Sequence, residues 1–165
     1  MSAVSNSSPL IYLGTLGDFE LLRLLFGTIT IPEAVYREVA IDGRGQPGGS
    51  DVLKASGHWM LTESIRDQHR AISLMEAQGI HAGESEAIVL AQERGLDVIL
   101  LDDQRAVSCA KAARLKVVRT PAIYATAKEM GLIDSVRDKL DHLRQARFFL
   151  KDQDYRSILR MVGEL

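Results

Sequence analysis

The sequence predicts an α/β domain, a doubly wound and mainly parallel sheet flanked by helices, with further helices at its C-terminal end. Three observations lead there. Short apolar or β-branched runs alternate with longer helical patterns. The run Val98–Leu101 is apolar at every position, as a central strand covered on both faces should be. Helix start and stop signals punctuate the chain between the runs. At 165 residues the length fits one domain spanning 1–165, with a core over about 1–135 and a helical extension over about 133–165.

The elements follow in order. Ala3-Val4-Ser5 reads as a first strand that ends at the polar turn Asn6-Ser7-Ser8-Pro9, with Ser8 capping a short helix, Leu10 to Leu16, and Pro9 at its first position. Asp18 is expected to cap a second helix, Phe19 to Phe26, which Gly27 stops. Thr28 to Ile31 is β-branched and reads as a strand. Pro32 opens a helix, Glu33 to Val39, and Ile41 to Ser50, with four glycines and Pro47, reads as a long loop. Asp51 to Ser56 resumes a helix, and Trp59 to Leu61 reads as a short strand. Ile65 to Gln78 reads as an amphipathic helix with Ile72 and Met75 on its inner side. Gly83 to Arg94 reads as a helix stopped by Gly95, and Val98–Leu101 as the central strand. The helix Gln104 to Leu115, the strand Lys116 to Arg119 and a helix capped by Thr120-Pro121 and running to Met130 follow. Ile133 to Arg147 and Tyr155 to Val162 close the chain as helices.

Composition narrows the function classes. The formal net charge is -2, so any phosphate contact must come from a local patch rather than from a basic protein as a whole. Cys109 is the only cysteine and reads as core; with no disulfide possible, a reducing cytoplasm is the expected location. No apolar run reaches the roughly 20 residues of a membrane span, and no signal peptide is expected. Phosphate loops, dinucleotide fingerprints and nucleophile elbows are absent from the sequence. His58, His69, His81 and His142 show no metal-ligand spacing; His81 reads as a surface residue that stands close to Glu84.

In open parallel sheets, ligands bind beyond the carboxyl ends of the strands. That rule points to Asn6–Ser8, Asp102-Asp103 and Arg119-Thr120. Adjacent carboxylates at the end of a buried strand repel each other and lose solvation, a cost that a divalent cation offsets. The plainer reading makes Asp103 an N-cap and Asp102 a turn residue. Glu84 and Glu86 open a helix, where acids suit the dipole; two residues apart, they diverge around it. Glu38 lies on a mostly apolar helical face, either at its solvated edge or lining a polar site. Asn6 and Ser8 offer uncharged oxygens, equally suited to a turn or to a hard cation. Taken together, the acids mark three separated boundaries where strand ends would converge. Mg²⁺ held there would serve phosphodiester hydrolysis without a nucleophilic side chain.

The motifs also carry a resemblance. Val4-Ser5-Asn6-Ser7-Ser8-Pro9-Leu10-Ile11, Ile31-Pro32-Glu33-Ala34-Val35-Tyr36-Arg37-Glu38-Val39, Ala82-Gly83-Glu84-Ser85-Glu86-Ala87-Ile88 and Leu100-Leu101-Asp102-Asp103-Gln104-Arg105-Ala106 resemble, in order and spacing, the motifs of prokaryotic PIN-like proteins, as does the closing segment from Val117-Val118-Arg119-Thr120-Pro121 through Ile133. The resemblance implies a PIN-like doubly wound fold, Mg²⁺ or Mn²⁺ dependence and endonucleolytic cleavage of RNA. Many relatives are VapC-type toxins, which implies a small antitoxin partner and a homodimer. Carried over by position, Glu38, Glu84 and Asp102 or Asp103 would be metal-site acids, with Glu86 as the alternative to Glu84; Asn6 would be a neutral ligand where PIN nucleases usually have aspartate, and Ser8, Arg105 and Thr120 would support the site. The neutral Asn6 implies weaker metal binding and leaves open a catalytically weakened module that binds RNA or protein. A phosphatase or receiver-like phosphotransfer domain is a third reading, which the late position of Asp102-Asp103 disfavours. Candidate phosphate contacts are Arg137, Lys139, Arg144, Arg147, Lys151, Arg156 and Arg160, with Arg105, Lys111 and Arg114 on another face; all of them also read as a solvated face. Phe148-Phe149-Leu150 reads as an exposed apolar cluster.

Overall fold

A computed structural model describes residues 2–165. Five strands, β1 (Ala3–Ser5), β2 (Ile29–Pro32), β3 (Met60–Glu63), β4 (Val98–Leu100) and β5 (Lys116–Val118), form one sheet in the order β3-β2-β1-β4-β5. Every pairing is parallel: Ala3 lies opposite Ile29, Val4 opposite Ile99, and Ile99 opposite Val117. Successive strand residues face opposite sides of a sheet. Ala3, Ile29, Ile31, Val98 and Leu100 accordingly join one apolar layer, while Val4, Ile99 and Leu101 join the other. The sheet is thus covered twice, which explains why β4 has no polar residue. The chain order turns around between β1 and β4, so the crevice at their carboxyl ends is the place where such a fold opens to ligands.

The helices are α1 (Ser7–Leu16), α2 (Leu21–Phe26), α3 (Glu33–Tyr36), α4 (Gly49–Ala55), α5 (Gln68–Gln78), α6 (Ala82–Arg94), α7 (Gln104–Ala112), α8 (Thr120–Glu129), α9 (Val136–Gln145) and α10 (Asp152–Met161). Helix α9 and helix α10 are not peripheral. Val136, Leu140, Leu143 and Leu159 are fully buried in the same layer as Leu10, Leu22 and Tyr124.

Several expectations are corrected. Helix α1 begins at Ser7 with Asn6 at its N-cap, and Ser8 lies inside the first turn, where its hydroxyl bonds Asp102 rather than a backbone N–H. Asp18 does not cap the second helix. Its carboxylate accepts the Tyr124 hydroxyl at 2.8 Å and the Lys139 ammonium, so a buried phenol and a cation outcompete local capping. Helix α5 starts at Gln68 with Asp67 as its cap; its inward residue is Ala71, while Ile72 is half exposed. Cys109 is only partly buried against the second layer. The long loop is shorter than expected: α3 runs directly into a π-helical turn, Arg37–Asp42, α4 begins at Gly49, and only residues 43–48 remain as turns, where glycines serve close approach. A side chain at Gly14 would lie 2.5 Å from the Gly48 backbone, and one at Gly49 would lie 2.7 Å from the Gly43 carbonyl.

Candidate functional site

Buried polar side chains collect at the carboxyl end of the sheet. Ser5 ends β1 and Asn6 and Ser7 follow it, Asp102 follows β4, Thr120 follows β5, and Glu84 and Ser85 lie on the first turn of α6. They adjoin an open cleft of about 840 Å³. Asn6, Ser8, Glu38, Glu84, Asp102 and Asp103, which come from four separated stretches of sequence, all line it. Three expected participants do not. Glu86 accepts the Ala34 N–H at 3.3 Å, on the side of α6 that faces α3, as the divergence of residues two apart requires. Arg105 projects elsewhere, with a guanidinium nitrogen beside Gly79. Thr120 stands behind the cleft and acts on it through Asp102.

The two adjacent aspartates have different tasks. Asp102 is 8% exposed, and both of its oxygens are taken. Oδ1 accepts the Thr120 N–H at 2.8 Å; Oδ2 accepts the hydroxyls of Thr120 at 2.6 Å and Ser8 at 2.9 Å. One carboxylate thereby ties the end of β4 to the first turns of α1 and α8. Burial pushes its carboxyl above the ordinary range, opposed by those hydrogen bonds and by the Arg119 guanidinium. Asp103 is exposed and caps α7, where Oδ1 accepts the Ala106 N–H at 3.0 Å. That bond engages one oxygen of a side chain that lines the cleft.

Glu84 is the unsatisfied member. It is 7% exposed, and its Oε2 is buried with no hydrogen-bond partner. Burial raises its carboxyl above the ordinary range, and the charges of Asp103 and Glu38 add to that, against a smaller opposing pull from His81. Glu38 is exposed, in the π-helical turn, and its Oε2 accepts the Ser7 hydroxyl at 2.8 Å. Gly83 sets the spacing. A Cβ there would lie 3.1 Å from Asn6 Oδ1 and 3.5 Å from Glu38 Oε2, so the bare backbone lets the amide and the carboxylate share one spot.

This donor set is chemically suited to a hard divalent cation: an amide oxygen, two carboxylates that keep a free oxygen, and one buried oxygen that lacks any proton donor. Among the described residues no group of three acids, histidines or cysteines stands close enough together to hold a metal ion. A Mg²⁺-type site needs only one or two carboxylates, with waters and phosphate oxygens completing the shell.

Residues that the sequence did not assign together build the rest of the cleft. Tyr12 and Thr15 of α1, Arg119, and the segment from Ala146 to Lys151 line it together with the acids. That segment lies more than a hundred residues from Asn6 in sequence, and no short motif announces the contact. His81 also lines the cleft and is exposed. No helix among the described residues is long and apolar enough to cross a membrane.

A family model described as a PIN domain matches residues 2–164. No curated protein and no solved structure matches the chain.

Proposed function

The chain belongs to the PIN-domain family, a nuclease-type fold, and from that premise we propose that it is a Mg²⁺- or Mn²⁺-dependent endoribonuclease, the toxin of a toxin–antitoxin pair. The observation that supports the catalytic reading is the meeting of Asn6, Glu38, Glu84 and Asp103 in one cleft, with a buried Glu84 oxygen that no protein group satisfies. The toxin assignment, with a small antitoxin partner and a homodimer, rests on the motif resemblance.

One or two of the carboxylates Glu84, Asp103 and Glu38, with the Asn6 amide oxygen, would hold the ion. A bound divalent cation supplies Lewis acidity at the phosphoryl group, a water acidic enough to attack, and charge for the leaving oxygen. The chain's own residues do the rest. Ser7 orients Glu38 through its hydroxyl, and Asp102 acts as a positioning residue that fixes α1 and α8 around the crevice. Arg119 sets a guanidinium in the cleft, with one nitrogen donating to the Asp102 carbonyl at 3.0 Å, where it can face a phosphate.

The reading predicts RNA cleavage that requires Mg²⁺ or Mn²⁺ and stops with EDTA. Glu84→Gln, Asp103→Asn and Glu38→Gln should each lower the rate by about two orders of magnitude or more. Cleavage that survives both chelation and these substitutions would rule the reading out.

Asn6 favours a second reading, a module that binds RNA or protein without cutting. An amide coordinates through oxygen but removes one negative charge from the cluster. Wild-type and Asn6→Asp proteins that both fail to cleave, with no gain in metal affinity for the aspartate, would decide for that module.

A further inference from the structure

The wall of the cleft that faces the acids has the features of a nucleotide grip. Of the seven C-terminal cations, Arg137, Lys139 and Arg144 are committed within the protein: Arg137 to the Glu164 carbonyl, Lys139 to Asp18, and Arg144 to Asp152 and the Leu150 carbonyl. Arg147 and Lys151 line the cleft, and neither enters an ion pair among the described residues. Between them stands Phe149, 77% exposed, the most exposed of the large apolar side chains among the described residues and itself a lining residue.

This loop is held firmly. Phe148 is 6% exposed and packs edge-on against Tyr12 of α1, with ring centroids 5.0 Å apart. The Leu150 carbonyl accepts Arg144 at 2.8 Å. An exposed phenyl ring flanked by two anchored residues loses little freedom when something stacks on it. Arg147 has φ of 70°, a left-handed conformation that glycine or asparagine adopts at less cost, yet a long cation occupies it at the end of α9. Asp154 is the one lining carboxylate contributed by α10; the other four, Glu38, Glu84, Asp102 and Asp103, come from elements at the carboxyl end of the sheet.

We propose that the α9–α10 loop binds an unpaired nucleic-acid strand, with one base stacked on Phe149 and the adjacent phosphates held by Arg147 and Lys151. The occupant follows from the chemistry. Acids across the cleft exclude a polyanion from that wall unless a cation intervenes, so phosphates settle on the basic side. A base reaches the ring only if it is not paired, because a duplex hides its faces. The proposal rests on the nuclease reading for its substrate class, but binding tests it without cleavage.

The experiment is fluorescence anisotropy with a labelled oligouridylate and with an RNA duplex of equal length, in EDTA and again with Ca²⁺. Wild-type protein should favour the single strand. Phe149→Ala should weaken it by about tenfold or more, and Phe149→Trp should restore it. Arg147→Gly relieves the left-handed strain, so its Tm should hold or rise while affinity falls and the salt dependence becomes shallower by about one phosphate contact. A purely structural Arg147 would leave binding untouched. Unchanged affinity in Phe149→Ala, preference for duplex, or no binding of either RNA overturns the grip, including the case in which the loop receives a protein segment instead. Glu84→Gln separates the two claims: cleavage lost with Phe149-dependent binding intact supports both. Wild-type protein that binds through Phe149 but never cleaves keeps the grip and removes the nuclease.

Discussion

Asp102 and Asp103 are neighbours with opposite exposure, and their substitutions should report different things. Asp102→Ala would leave the Thr120 N–H, the Thr120 hydroxyl and the Ser8 hydroxyl without their shared acceptor, so it should cost about 2–3 kcal/mol, measured by chemical denaturation. Asp103→Ala loses one cap bond and should cost only about 1 kcal/mol, with its main effect on metal binding and cleavage. Glu84 gives a pH signature. Its carboxyl is raised in the folded protein, so ionisation costs stability as pH climbs above the ordinary carboxylate value of 4.5. Metal-free Glu84→Gln should therefore melt higher than wild type at neutral pH and lose that advantage in acid. Equal melting temperatures at neutral pH would show that Glu84 is not an uncompensated buried charge.

Single helices and turns explain what the sequence made legible and what it hid. The ends of β1 and β4 were readable because buried apolar runs stop abruptly at Asn6 and Asp102. Glycine punctuation located the ends of α2 and α6, at Gly27 and Gly95, both with positive φ. The π-helical turn was not readable, since a widened turn has no composition of its own, and glycines at Gly43, Gly48 and Gly49 look the same in a loose loop as in a packed one. Gly14→Ala tests the packed version. The new methyl would meet the Gly48 backbone, so about 1–3 kcal/mol should be lost, whereas a flexible loop would absorb it. Glu164 shows a second hidden link. It caps α9 from the far end of the chain, accepting the N–H groups of Val136 and Arg137 and pairing with Lys128. Burial opposes its charge, but these donors prevail and hold its carboxyl at about 2. A depressed carboxyl stabilises the fold above its unfolded value and loses that contribution as pH falls from 4.5 towards 2. Glu164→Gln should flatten the acid limb of the stability profile in that window, with a size limited by solvent screening near the surface.

At the scale of the molecule, the doubly covered sheet serves to bring distant acids together. Strand order places the ends of β1 and β4 side by side, α6 and the π-helical turn add Glu84 and Glu38, and α9 and α10 close the other wall. The sequence disclosed the acid wall because each acid falls at an element boundary. It marked Arg119 and the cluster Phe148-Phe149-Leu150 but concealed that the cluster joins the same cleft, because the segment reaches it only through tertiary packing such as Phe148 against Tyr12. The account depends on that acid wall binding a cation. Calorimetric titration of Mn²⁺ into metal-free protein tests this most directly, with Glu84→Gln, Asp103→Asn and, as a control facing α3 rather than the cleft, Glu86→Gln alongside. Saturable binding in wild type and Glu86→Gln, weakened about tenfold or more in the other two variants, is the predicted result. Binding that all three substitutions leave unchanged, or no binding in wild type, would contradict it.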